Sequence, residues 1–105
     1  MHARVSRYEG GAPEDLEETI RKGREELLPA ARQLDGFAGA IALLDRRTGR
    51  HMVISLWQTE AAMQASEQAA EKLRQRQLTA GERVAEVDRY EVAMLELKAG
   101  DTTTA

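Results

Sequence analysis

The sequence predicts a single α+β domain whose elements follow the order strand, helix, strand, strand, helix, strand. Its 105 residues are the length of one domain. Two kinds of segment alternate along the chain. In one kind the apolar residues form short continuous runs, which are typical of strands, and in the other they recur every three or four residues, which is typical of helices. Glycine-containing breaks separate these segments. This order is the split βαβ, or ferredoxin-like, arrangement, in which the strands form one four-stranded antiparallel sheet.

The first strand and the first helix are separated by a glycine pair. Residues 3–9 predict a strand that ends at this pair, the strongest local breaker in the chain. The helix is expected to begin at Pro13, because proline at the first helical position loses no intrahelical hydrogen bond. Apolar residues recur at three- and four-residue spacing from Leu16 to Leu34 and form one stripe of this helix. Pro29 lies inside that stripe and predicts a kink or break near Leu28. The helix is expected to end by residues 35–36.

The second half of the chain supplies a hairpin, a helix and a last strand. The predicted elements are strands at residues 37–45 and 51–57, a helix at 61–77 and a strand at 87–97. A short polar loop containing glycine joins the first two strands as a hairpin. Thr59 is the expected N-cap of the helix. Residues 78–86 are expected to form a loop and 98–105 a polar tail, which leaves one domain over residues 1–97.

The predicted strands are apolar on both faces, although two helices can cover only one face of a four-stranded sheet. The opposed sets are Phe37, Ile41 and Leu43 against Ala38, Ala40, Ala42 and Leu44; Val53 and Trp57 against Met52, Ile54 and Leu56; and Ala93, Leu95 and Leu97 against Val92 and Met94. A second copy of the chain is the simplest cover, because monomers rarely expose large apolar patches. We therefore expect a homodimer with two sheets packed face to face. The alternative is that the second face is alanine-rich and partly wet.

Composition and charge exclude several classes of function. The formal net charge of −3 and only four aromatic residues, Tyr8, Phe37, Trp57 and Tyr90, argue against a nucleic-acid partner. No apolar run approaches the roughly 20 residues that span a bilayer, so no membrane partner is expected. The absence of cysteine excludes disulfides and thiolate ligands and fits a cytoplasmic location, and the first residues contain no apolar export signal. Two histidines are too few for a transition-metal site, so no metal is expected.

Two stretches of the sequence resemble a known family. The run from Leu34 to Gly39, and the run Val53-Ile54-Ser55-Leu56-Trp57-Gln58-Thr59-Glu60-Ala61, are similar to the antibiotic-biosynthesis-monooxygenase-like (ABM) group of the dimeric α/β-barrel superfamily. The resemblance covers residues 3–97. It implies a dimeric α/β barrel with one pocket per subunit between the sheet and the helices. The group includes cofactor-free oxygenases of aromatic polyketides or quinols, haem-degrading enzymes and proteins of no established function, so the resemblance supplies no reaction.

The third predicted strand carries three candidate site residues. The resemblance places a tryptophan at Trp57 against the pocket, where its flat apolar ring suits a planar ligand. Strand alternation puts His51 and Ser55 on the face of Trp57. A histidine there could accept a proton from a phenolic substrate, as cofactor-free oxygenation requires. The alternatives are that Trp57 fills the core and that His51 is solvated at the rim of the hairpin.

The first predicted strand supplies two more candidates. Arg4 and Tyr8 share a face; Arg4 could stabilise an enolate or peroxide anion, and Tyr8 could donate a hydrogen bond into the pocket. The resemblance places Arg4 roughly where haem-degrading members carry a catalytic asparagine. The alternatives are a surface salt bridge for Arg4 and a core position for Tyr8. Met63 and Tyr90 are further candidates for the pocket lining, with packing as the alternative for methionine.

Two functional hypotheses remain open. The first is a cofactor-free oxygenase that holds a small planar aromatic or quinol substrate against Trp57, with His51, Tyr8 or Arg4 managing protons and negative charge. The second is a dimeric structural or ligand-binding module without turnover, favoured because few polar groups converge on the predicted pocket. Neither hypothesis needs a cofactor. Haem degradation is not expected, because the predicted helix 61–77 lacks the histidine that the haem-degrading relatives use as a ligand.

Overall fold

The structure, a computed structural model, describes residues 1–98 and has the predicted α+β order. The strands are β1 (His2–Glu9), β2 (Phe37–Leu44), β3 (His51–Trp57) and β4 (Arg83–Glu91), and the α-helices are α1 (Leu16–Lys22), α2 (Leu28–Ala31), α3 (Glu60–Ala65) and α4 (Glu67–Gln77). The sheet order is β2-β3-β1-β4 with every neighbouring pair antiparallel. The ferredoxin-like prediction is therefore confirmed. Of the predicted polar tail, residues 99–105 lie outside the described residues.

The first helical region is broken where proline predicts a break. A 3₁₀ turn at Pro13–Asp15 leads into α1, and a π-helical turn at Gly23–Leu27 separates α1 from α2. In this turn the Leu28 N–H donates to the Gly23 carbonyl, five residues earlier. Pro29 has no N–H to offer, so the regular i→i−4 ladder cannot continue through it. α2 ends at Ala31, earlier than the sequence predicts.

The second helical region is two helices where the sequence predicts one. Thr59 is the N-cap, as expected, and its hydroxyl accepts a hydrogen bond from the Ala62 N–H at 3.0 Å. The break falls at Ser66, whose hydroxyl donates to the Met63 carbonyl at 2.7 Å. The Arg4 guanidinium donates to the same carbonyl. The interruption thus coincides with a side chain from β1 bonding to the helix backbone.

The prediction for the fourth strand is wrong in its position. Residues 83–86, predicted as loop, are strand, and β4 ends at Glu91 rather than at residue 97. Glu91 pairs with His2, the first residue of β1, and the Val92 N–H still donates to the Met1 carbonyl at 2.9 Å. The large apolar residues that follow are exposed, Met94 at 84% and Leu97 at 72%. Strand-like composition therefore did not decide pairing; contact with the partner strand did.

Each face of the sheet has a distinct environment. Arg4, Ser6 and Tyr8 of β1 face the helices, together with their β3 partners Ser55, Val53 and His51. A register shift between Phe37 and Gly39 turns Phe37 to the helix side, where it meets Trp57 edge-on at 5.6 Å. This corrects the expectation that Phe37 shares a face with Ile41 and Leu43. The opposite face, called here the open face, carries Ala3, Val5, Ile41, Leu43, Met52, Ile54, Leu56 and Tyr90.

One glycine fixes how β2 meets α3. Gly36 precedes β2 with φ of +77°, a conformation that side-chain-bearing residues rarely adopt. A Cβ at this position would lie 2.5 Å from the Cβ of Ala62 in α3. The strand can therefore start this close to the helix only with glycine there. None of the helices among residues 1–98 is both long enough and apolar enough to span a bilayer.

Candidate functional site

A partly open cavity of about 60 Å³ lies between the sheet and the helices. Arg4, Tyr8, Ser55 and Trp57 line it from the sheet, and Leu27, Leu28 and Arg74 line it from the helices. Most of the remaining lining is apolar, from aliphatic residues and Phe37. The sequence-predicted pocket between sheet and helices is therefore present, as a small apolar space with a few polar groups at its wall.

Arg4 is a buried cation whose hydrogen bonds hold the helices. Its Nη2 donates to the Met63 carbonyl and to the Ser66 hydroxyl, both at 2.7 Å, and its Nε donates to Glu67 Oε1 at 3.2 Å. Its Cζ lies 5.4 Å from the centre of the Trp57 ring, within cation–π range. Burial lowers the pKa of Arg4, and the neighbouring carboxylate of Glu67 opposes that shift. Arg4 is thus a positioned charge at the cavity wall rather than the surface salt bridge considered as an alternative.

Glu67 is shared by two arginines. Arg89 of β4 binds it with two hydrogen bonds of 2.8 Å, and Arg4 binds it from the interior. The hydrogen bonds from Arg89 and the charge of Arg4 lower the pKa of Glu67 to about 2. The carboxylate therefore stays ionised at neutral pH. It balances the charge that Arg4 brings into the core.

Tyr8 presents a phenol that keeps its proton. Burial raises the pKa of Tyr8 to about 12, because the ionised form would lose its hydration. The ring lies parallel to that of His51, with centres 4.5 Å apart. Tyr8 is in the cavity lining and His51 is not. The phenol can therefore serve as a donor towards the cavity, while His51 lies against the ring outside it.

Arg74 is a cavity residue that the sequence interpretation missed. Its side chain is 8% exposed and its Nη2 donates to Glu71 Oε2 at 2.7 Å. Its Nε is buried and has no hydrogen-bond partner among the described residues. Arg74 directly follows Leu73, an apolar residue that also lines the cavity, and that adjacency was the only signal that could have placed Arg74 near it. An unpartnered N–H beside an apolar cavity is suited to an acceptor oxygen of a ligand.

The structure brings together four of the predicted site residues. Arg4, Tyr8, Ser55 and Trp57 line one cavity. The indole N–H of Trp57 donates to the Ser55 hydroxyl at 2.9 Å, so the Trp57 ring offers the cavity its apolar surface rather than its donor. Their functional roles remain predictions.

Three predicted site residues lie elsewhere. His51 stands behind Tyr8, as described above. Met63 is buried, but it offers its carbonyl to Arg4 and its side chain is not part of the lining. Tyr90 pairs with Ala3 on the open face and is 52% exposed, because the register of β4 turns it away from the helices. Within residues 1–98, no group of three or more histidine, cysteine or acidic side chains is arranged to hold a metal ion.

Comparison with solved structures identifies the fold class. The chain matches HapK from Hahella chejuensis with a TM-score of 0.72 at 10% identity, covering 95% of this chain and 100% of that one. It matches a monooxygenase from the gene ActVA-Orf6 of Streptomyces coelicolor, solved with nanaomycin D, with a TM-score of 0.68 at 12% identity over 93% and 92%. It matches SnoaB, a cofactor-independent oxygenase from Streptomyces nogalater, with 0.60 at 18% identity over 90% and 94%. The chain therefore has the same ferredoxin-like fold as these three proteins.

Sequence comparison finds uncharacterized relatives in Mycobacterium tuberculosis. The uncharacterized protein Rv2558 of Mycobacterium tuberculosis (strain ATCC 25618 / H37Rv) is 30% identical over 95 residues, which are 90% of this chain and 40% of that protein. The chain thus spans about two fifths of the length of this curated relative. No family model matches the chain.

Proposed function

We propose that this chain is an ABM-type oxygenase domain that binds a small planar aromatic or quinol substrate in the cavity and needs no cofactor. The observation that carries the proposal is the lining itself. An indole face, a protonated phenol and two guanidinium groups surround one apolar space. The solved structures of the same fold that are described as a monooxygenase and as a cofactor-independent oxygenase support the same class of reaction.

The lining residues suit a substrate that reacts as an anion. Trp57 offers a flat surface for the ring. The unpartnered Nε of Arg74 and the hydroxyl of Tyr8 are donors for an ionised quinol oxygen, and the nearby charge of Arg4 favours that ionised form. The anion is the species that can pass an electron to dioxygen without a cofactor. The cavity thus lowers the pKa of the substrate, and the quinol proton passes to water rather than to a base of the protein.

The size of the cavity sets a condition on this function. About 60 Å³ is smaller than the roughly 150 Å³ that holds a single benzene ring in an engineered cavity. The wall next to the π-helical turn, at Leu27 and Leu28, therefore has to move for a substrate to enter. This is the part of the first helical region where the regular i→i−4 hydrogen-bond ladder is interrupted, so we expect this wall to move.

Oxygen uptake by the purified chain tests the proposal. We expect uptake with 1,4-dihydroxynaphthalene above the spontaneous rate and without added metal or flavin. Arg74→Met should lower kcat/KM at least tenfold, whereas Arg76→Met, an exposed arginine on the same helix, should leave it unchanged. Trp57→Phe should raise KM because the ring surface shrinks. Uptake no faster than the spontaneous rate, or equal losses in both arginine variants, would reject the proposal.

We propose in addition that two copies pair through the open face. Ile41, Leu43 and Tyr90 are exposed there in the single chain, and Val5 and Leu56 lie beside them on the same face. Burying such a patch favours association. In sedimentation experiments the parent chain should be a dimer and the Leu43→Glu variant a monomer. The control variant Ala80→Glu, changed in an exposed loop, should remain a dimer. A monomeric parent chain would contradict the proposal.

A non-catalytic module remains the second candidate. It is favoured by the small cavity volume and by the engagement of the Trp57 N–H with Ser55. This candidate predicts that a quinol quenches Trp57 fluorescence with no oxygen uptake. For either function we propose a cytoplasmic location, which the lack of cysteine supports.

A further inference from the structure

Behind Tyr8 lies a buried acid and base that the proposed reaction does not use. The side chain of His51 is 5% exposed and that of Glu82 is 2% exposed, and the His51 Nδ1 is 3.4 Å from the Glu82 Oε2. His51 belongs to β3, whereas Glu82 lies in the loop immediately before β4. Two titratable side chains from distant parts of the chain therefore meet in the interior.

The surroundings give these two groups little else to interact with. The Thr79 N–H donates to Glu82 Oε1 at 3.3 Å, and the Gly11 backbone packs so close that a Cβ there would lie 2.9 Å from Glu82 Oε2. Nδ1 of His51 has no hydrogen-bond partner among the described residues. The other charged or titratable groups facing the cluster are Asp15, Lys22, Glu71 and Arg74, which act on Glu82 or on Tyr8 without bonding to His51 or to Glu82. Apart from these weaker influences, each group depends on the other.

Burial shifts the two pKa values towards each other. Desolvation raises the pKa of Glu82 and lowers the pKa of His51, because in each case it disfavours the charged form. The 3.4 Å contact is an ion-pair distance without hydrogen-bond geometry. A small rotation of either side chain would let one proton satisfy both groups, either as Nδ1–H donating to the carboxylate or as the carboxyl O–H donating to Nδ1. Without that proton, a bare carboxylate would remain buried beside a neutral imidazole, which is costly.

We propose that His51 and Glu82 share one proton and act as positioning residues, holding the Tyr8 ring at the wall of the cavity. The parallel stacking of Tyr8 on His51 is the physical link, because a change in the charge or position of the imidazole acts directly on the face of the phenol ring. As the pH rises through the titration of the pair, the shared proton leaves and the support behind Tyr8 weakens. The pair therefore makes the cavity wall sensitive to pH. This inference rests on the fold and does not need the oxygenase proposal.

Nuclear magnetic resonance can follow this pair without any substrate. The chain has two histidines and two tyrosines. His2→Gln therefore leaves His51 as the single imidazole signal, and exposed Tyr90 serves as an internal reference for Tyr8. In this background the ring signals of Tyr8 should change with the same midpoint as those of His51, while those of Tyr90 should not.

Removing the carboxylate gives the decisive comparison. Glu82→Gln keeps the shape of the side chain and removes its carboxylate. The midpoint of the His51 titration should therefore fall by about one pH unit or more, which corresponds to a roughly tenfold loss of proton affinity. Glu86→Gln, at an exposed position in β4, should leave the midpoint unchanged. An unchanged midpoint in Glu82→Gln would overturn the shared proton.

The proposal stays testable if Glu82→Gln does not fold. In the His2→Gln chain alone, a Tyr8 signal that does not follow the His51 midpoint would overturn the positioning role. Since no substrate is present in either measurement, failure of oxygen uptake leaves these outcomes unaffected, and the reverse also holds.

Discussion

Replacing Arg4 by methionine is expected to destabilise the fold by about 3 kcal/mol. Arg4 donates two buried hydrogen bonds of 2.7 Å, to Met63 and Ser66, and a third bond to Glu67. A hydrogen bond to a charged group contributes about 1.5–3 kcal/mol, and breaking a buried ion pair costs about 3–5 kcal/mol. We place the cost at the low end, because Glu67 keeps Arg89 as a partner and methionine fills much of the vacated volume.

Urea denaturation followed by far-UV circular dichroism measures this loss of free energy of unfolding. In thermal unfolding followed by the same signal, the midpoint should fall by about 12–15 °C, at roughly 4–5 °C per kcal/mol for a domain of this size. The matched control is Arg89→Met, which removes the half-exposed partner of the same carboxylate and should cost below about 1 kcal/mol. Equal losses for the two variants, or a loss below about 1 kcal/mol for Arg4→Met, would show that the buried hydrogen bonds do not stabilise the α3–α4 junction.

Three further predictions concern stability. Gly36→Ala should lower the free energy of unfolding by about 1–3 kcal/mol in chemical denaturation, because the positive φ and the contact with Ala62 both oppose a side chain. The control Gly23→Ala, with open space around it, should be neutral or stabilising. A neutral Gly36→Ala would contradict the argument. The pKa of Glu67 is lowered to about 2 from 4.5, so the stability that its ionised form contributes is present above pH 4.5 and is lost as the pH falls towards 2. Glu67→Gln should abolish that part of the pH dependence of the free energy of unfolding. An unaltered acid profile in this variant would refute the prediction. Thr59→Ala should cost about 1 kcal/mol by removing the N-cap of α3, and a thermal midpoint equal to that of the parent would count against the cap.

Local patterns predicted those parts of the fold that neighbouring residues decide by themselves. Strand alternation correctly placed Arg4 and Tyr8 on one face of β1, and His51, Ser55 and Trp57 on one face of β3. Pro29 correctly marked a break, because the missing N–H acts within one turn of its own position. These features depend on periods of two or about four residues, which can be read directly from the chain.

The errors arise where a distant element overrides the local pattern. The last apolar run, around Met94 to Leu97, looks more like a strand than residues 83–91 do. It stays outside the sheet because β4 ends at Glu91, opposite His2, and the pairing with the neighbouring segment closes with the Val92 N–H donating to the Met1 carbonyl. The irregular pairing at Phe37 and Gly39 turned one large side chain to the other face, and no local signal marks that shift.

The sequence by itself determines the order of elements, the apolar character of both faces of the sheet, and four residues of the cavity wall, Arg4, Tyr8, Ser55 and Trp57. Each of these follows from spacing along a few consecutive residues. Only the tertiary structure decided which polar groups became buried and what they met there. Arg4 donates a hydrogen bond to Ser66, 62 positions away in the chain, and His51 lies against Glu82. Burial removes water from such groups and makes their pKa values and hydrogen bonds depend on partners far away in sequence, so no local pattern specifies them.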